Sequence, residues 1–267
     1  MQDLLLGSFA ILGYLATAFW LVHEALHPGT EHRRLALLPA CLATTAHALL
    51  LFLPQLQGQV PDLHFFRALS LVAWAMVLVV LLAVRSQRTQ ILLVVILPIA
   101  ALASLLHLFA PAQSGAAGGV DWQIRLHVVI AMSAYALLSI AALQALLFAW
   151  QDRLLRERRL GLALRAMPPL AAMEALLFQF IAGGFALLTL TILSGALFIH
   201  DWMAQHLVHK TVLTLAAWLL FGILLYGHYR HGWRGRRAVR WTLGGMGVLL
   251  LAFFGSKFVL EVLLQRS

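Results

Sequence analysis

Twelve histidines stand in a chain of 267 residues that carries only ten acidic and nineteen basic side chains. Imidazole is the side chain that, near neutral pH, ligates transition metals or passes a proton. Position matters more than number. His107, His127, His200, His206 and His209 fall at one set of helix ends, with His23, His27, His32, His228 and His231 at the other. His47 stands apart. It lies seven residues before Pro54, about 10 Å inside an apolar segment at a 1.5 Å rise per residue. An ionisable side chain at that depth is a functional hypothesis by default. His64, His228 and His231, near helix ends, need no function, because an amphipathic ring is comfortable there.

Haem iron takes one or two imidazoles from facing helices together with an apolar slot. His47, His127 and His209 can supply such ligands, and Arg125 and Lys210 at the same end can neutralise haem propionates. Histidines lining a path for protons or metal ions would fit the same residues. A rival motif is His23-Glu24-Ala25-Leu26-His27, which matches H-E-x-x-H, the helical zinc signature of metalloproteases. It runs straight into Pro28-Gly29, which leaves little helix to shelter a site, and no deep aspartate completes the ligand set. The match is read as chance. No G-x-S-x-G occurs, and Ser194-Gly195 has no base near it in sequence. Gly115-Ala116-Ala117-Gly118-Gly119 lacks the lysine and the strand of a phosphate loop. The single cysteine, Cys41, excludes an intramolecular disulfide, a C-x-x-C pair and a C-x-x-C-H haem attachment. Any haem is therefore expected to be b-type and non-covalent.

The elements that must position these residues follow from composition. The chain is 62% apolar and 11% charged, with a mean hydropathy of +0.90, whereas a soluble domain is roughly a quarter charged. A soluble protein is excluded. Between charge clusters lie eight stretches of about 20 residues or more, the length that spans hydrocarbon: 4–26, 35–54, 64–84, 90–110, 122–150, 176–199, 207–229 and 239–262. The fold expected is an all-α polytopic membrane bundle, a single transmembrane domain over 1–267, without a soluble domain or an internal repeat. The first stretch continues well past a signal-peptide core and is expected to be retained.

The net charge of +9 reads as topology and not as nucleic-acid binding. Fourteen Lys and Arg follow spans 1, 3, 5 and 7, against five at the opposite ends. The positive-inside rule then places both termini outside the cytoplasm. The 151–175 connection should extend span 5 as helix, break at Met167-Pro168-Pro169 and re-enter span 6. The Gly-rich 111–120 loop should be a flexible connector, and Pro98 should kink span 4. Gly183-Gly184, Gly195 and Gly244-Gly245 should permit close helix packing.

From residue 122 onward, longer patterns emerge. Leu126-His127-Val128-Val129 leads into Ser133-Ala134-Tyr135, and Met167-Pro168-Pro169-Leu170 follows. Leu187-Leu188-Thr189-Leu190-Thr191, Ser194-Gly195 and His209-Lys210-Thr211 with Trp218 come next. Gly232-Trp233-Arg234-Gly235-Arg236-Arg237 and Phe254-Gly255-Ser256-Lys257-Phe258 complete the set. In this order they resemble the cytochrome c assembly family, with its CcsA, CcmC and HemX groups, and most of all its YpjD branch. The resemblance is specific over 122–260 and looser before it.

It implies haem handling in a bacterial inner membrane, where the outer side that the charge distribution gives to both termini is the periplasm. His127 matches the family's outer histidine and His47 a deeper one. Two departures follow. Where the family carries a Trp-rich W-G-x-x-W-x-W-D segment, this chain has His200-Asp201-Trp202-Met203-Ala204-Gln205-His206, with Trp202 its one tryptophan. The buried histidine of the haem-lyase group falls on Tyr226. The resemblance therefore implies a haem-binding accessory and not a lyase. Its partners would be membrane lipid, haem and other membrane proteins of cytochrome maturation or ion transport. The other reading is a transporter or regulatory subunit for metal-ion or haem-precursor traffic.

Overall fold

The computed structural model describes residues 2–26, 37–56, 64–83, 87–110, 121–158, 161, 167–198 and 205–255, with only the backbone at 87–90, 205–209 and 254–255. Among the described residues every regular element is a helix. These are α1 (Gln2–Leu26), α2 (Leu37–Leu56), α3 (Phe65–Ala83), α4 (Gln87–Leu108), α5 (Trp122–Arg156), α6 (Leu170–Phe198), α7 (Gln205–His231) and α8 (Arg236–Leu250). α8 runs into a π-helical turn, Leu251–Gly255. Helices α1 to α7 are long and apolar enough to cross a membrane. The expected polytopic helical bundle is the observed architecture. The eighth expected span begins as α8 and leaves the described residues after Gly255, and the 111–120 loop lies outside them too.

The long connection behaves as its residues dictate. α5 continues through Gln151-Asp152-Arg153-Leu154-Leu155-Arg156, and α6 starts directly after Pro168-Pro169. The Pro169 carbonyl accepts the N–H groups of Ala172 and Met173 at 2.9 and 3.1 Å. Proline suits a helix entry because its missing N–H would have no partner there. α6 thus opens six residues before the expected 176. α4 is helical on both sides of Pro98.

The chain forms two compact units, residues 1–119 with 154–168 and residues 120–153 with 169–267. In the first, α1 packs on α2 and α4, and α3 packs on α4 and α2. α1 buries Gly7, Ala10, Tyr14, Thr17, Ala18 and Leu21, a stripe at helical spacing. Lipid is as apolar as leucine, so helices in a membrane associate through close packing and buried polar contacts. Gly13 serves this: a Cβ there would stand 2.8 Å from the Ala43 Cβ.

In the second unit α7 packs on α6 and α8. Leu138 of α5 lies over Gly184, and Phe221 of α7 lies over Gly245, each too close for a larger residue. Tyr135, from the Ser-x-Tyr pattern of α5, donates its hydroxyl to the Leu249 carbonyl at 3.0 Å, just before the π-turn. The Gly232–Arg237 pattern is the α7–α8 corner. Gly232 adopts φ 64° and returns its N–H to the His228 carbonyl at 3.1 Å, a left-handed helix cap that favours glycine. His228 donates Nδ1–H to the Trp233 carbonyl at 2.9 Å, which gives it a structural task. The Gly235 N–H is taken by Glu174 Oε1 of α6 at 2.8 Å.

Candidate functional site

Histidine environments divide the two units. In the first, His47 of α2 is fully buried. Its Nδ1 meets the Tyr14 hydroxyl at 3.2 Å and its Nε2 meets Ser70 Oγ at 2.8 Å. The Tyr14 ring stands edge-on to the imidazole at 67°, with centroids 5.8 Å apart. Tyr14 and Ser70 are themselves fully buried. In either tautomer one ring nitrogen donates and the other accepts, so both are engaged within α1, α2 and α3.

In the second unit His127, near the start of α5, is half-buried. Its Nδ1 lies 2.8 Å from Ser194 Oγ of α6. Ser194 also donates its hydroxyl to the Thr191 carbonyl at 3.1 Å. A carbonyl only accepts, so that bond uses the serine proton, and Ser194 Oγ then accepts from His127 Nδ1–H. The opposite tautomer would forfeit one of the two bonds. The arrangement therefore leaves the lone pair on His127 Nε2, the form in which imidazole binds iron. Metal-binding histidines commonly donate their second ring nitrogen in this way, which fixes tautomer and orientation. Gly195 admits the ring: a Cβ there would be 3.2 Å from His127 Cε1.

Sequence spacing found His127 but not its partner. Ser194, which has no base near it along the chain, has one across it, 67 residues away; only helix packing creates that pair. At the same end Trp122 of α5 faces Phe198 of α6 with centroids 6.3 Å apart, and Trp122 remains 67% exposed. These aromatics supply apolar surface at this end of α5 and α6 that no motif announced. Arg125 is exposed on α5, and Lys210 is half-buried at the start of α7. His209 is described only by its helical backbone, and Trp202 lies outside the described residues. Tyr226, at the position of the haem-lyase histidine, is 63% exposed and meets the His231 ring edge-on at 5.6 Å; it faces away from the interior of its unit.

His64 is more engaged than a lone interfacial ring. It precedes α3, and its Nδ1 accepts the Arg67 N–H at 3.3 Å, capping the helix. Its ring stacks on His107 of α4 with centroids 5.7 Å apart, and Arg67, itself buried, donates from Nη2 to the Leu51 carbonyl at 2.5 Å. The sequence signal was His64-x-x-Arg67 at a helix start. As for the H-E-x-x-H match, α1 ends at Leu26, with His23 exposed on its last turn and His27 beyond the described residues.

The chain is similar to known proteins along nearly its whole length. The model of the family described as "Cytochrome C assembly protein" matches residues 6–264. The inner membrane protein YpjD of Escherichia coli strain K12 is 32% identical over 258 residues, covering 95% of this chain and 97% of that protein. The cytochrome c biogenesis protein CcsA of Prochlorococcus marinus strain MIT 9303 is 25% identical over 287 aligned positions, covering 94% and 88% respectively. No solved structure matches the chain significantly.

Proposed function

The chain belongs to the cytochrome c assembly protein family, and on that footing we propose that it holds a b-type haem non-covalently in the bacterial inner membrane, as an accessory of cytochrome maturation and not as a haem lyase. Both termini are proposed to face the periplasm, from the fourteen-to-five distribution of basic residues. One observation carries the haem assignment: the Ser194–His127 contact, which commits Nδ1 and presents Nε2.

The residues fit the group. His127 is the iron ligand, Ser194 and Thr191 hold its ring and tautomer, and Trp122 and Phe198 offer an apolar flank. Arg125 and Lys210 are the cations for the propionates, with His209 as a second imidazole at the start of α7. Haem, when bound, supplies an iron centre whose potential and retention depend on axial ligation and on the dryness of the pocket. The accessory reading rests on sequence. Trp202 is alone where the family has a Trp-rich segment, and Tyr226 replaces the lyase histidine.

The test is the visible spectrum of the full chain purified in mild detergent with haem supplied. A Soret band that His127→Ala removes and His228→Ala leaves intact is the expected result. A colourless wild type, or equal haem in both variants, would refute it. The second reading, a proton or metal-ion path, draws on the buried Tyr14–His47–Ser70 chain of the first unit. It would then show as ion flux sensitive to His47 and insensitive to His127.

A further inference from the structure

At the Arg-rich end of the second unit, α5 and α8 enclose a groove of about 450 Å³ lined by Phe148, Ala149, Asp152, Arg236, Val239 and Arg240. Its wall is apolar, and Phe148 and Val239 are buried. Its rim holds two arginines and one carboxylate. Asp152 Oδ2 pairs with Arg236 Nε at 3.5 Å. Arg240 makes no hydrogen bond or ion pair among the described residues and is exposed. Arg237 is drawn aside over the Trp233 ring, 4.9 Å from its centroid.

Two features make the rim anion-seeking. α8 begins Arg236-Arg237 and has no acidic residue in its first turn. A helix start already carries the positive end of the backbone dipole, so these arginines add like charge to it. The carboxylates at hand are Asp152, which takes Arg236, and Glu174, which takes the Gly235 N–H. Arg240 is left over. The apolar half of the groove, meanwhile, offers a soluble anion nothing, whereas a hydrocarbon chain would lie along it.

We infer that this groove binds one anionic glycerophospholipid, with its phosphodiester at Arg236 and Arg240 and an acyl chain against Phe148, Ala149 and Val239. Basic pockets between membrane helices take such headgroups by paired charge and burial. A zwitterionic lipid is the poorer occupant, because its ammonium would compete with Arg236 for Asp152.

Native mass spectrometry of the full chain, offered phosphatidylglycerol or phosphatidylcholine in mixed micelles, decides the matter. Wild type should retain one phosphatidylglycerol in preference to phosphatidylcholine. Arg240→Gln should lower that retention about fivefold, the effect of one arginine at a lipid surface. Val239→Trp, which fills the wall and keeps the charges, should lower it as well, whereas Arg234→Gln should not. Equal retention of the two lipids, or an unaffected Arg240→Gln, would overturn the proposal. Displacement of the lipid by millimolar inorganic phosphate would overturn it too, showing a soluble-anion site instead.

Discussion

In the first unit His47 spends both ring nitrogens inside the protein, on the Tyr14 and Ser70 hydroxyls, whereas in the second unit His127 spends one, on Ser194. Depth in the apolar segment made His47 the more conspicuous of the two. As placed, the His47 imidazole ties three helices together, and serving as an iron ligand would cost it the Ser70 or the Tyr14 contact. A half-buried imidazole with its Nδ1–H committed is oriented and still has a lone pair to offer. On the proposed function, the uncommitted nitrogen makes His127 the ligand and leaves His47 as the fastener.

Substitutions sharpen the contrast. His127→Ala should remove bound haem altogether while the purified protein keeps its elution profile and helicity, measured by spectrum and circular dichroism. His47→Leu should do the reverse. It leaves the buried Tyr14 and Ser70 hydroxyls without their imidazole, at about 2–3 kcal/mol, so thermal unfolding in detergent should fall clearly while the haem spectrum persists. Ser194→Ala should be milder. It frees the ring and its tautomer, and loss of such a supporting contact weakens metal binding by about tenfold or somewhat more, which haem titration would resolve. Tyr14→Phe is the smallest change, about 0.6 kcal/mol for one interhelical hydrogen bond in a membrane protein. Its unfolding temperature should drop slightly with no change in colour. Haem loss in His47→Leu at retained stability would break the comparison.

The helices were legible because their signal is local: an apolar run bounded by Arg clusters or prolines marks its own ends. Pro168-Pro169 marks the start of α6, and the helix opens earlier than the apolar run alone indicates, since Leu170-Ala171-Ala172-Met173-Glu174-Ala175 joins it despite Glu174. That carboxylate is tolerated because it binds the Gly235 N–H, a contact 61 residues away that composition does not carry. The site was legible in part for the same reason. His127 could be picked by type and position, but its tautomer depends on Ser194 and Thr191 of another helix. His64 looked idle because capping and stacking on His107 are invisible until α3 and α4 are side by side. The Gly232–Arg237 pattern, informative as a signature, proves to be a corner and a groove rim.

The central claim is that the Nε2 of His127 binds iron, and chemical rescue tests it most directly. His127→Gly, purified with haem supplied, should be colourless or display an altered Soret band, and added imidazole should restore the wild-type spectrum by occupying the vacated place. A wild-type spectrum in His127→Gly before imidazole is added, or no recovery after it in a variant that still folds and retains its helicity, would contradict the account.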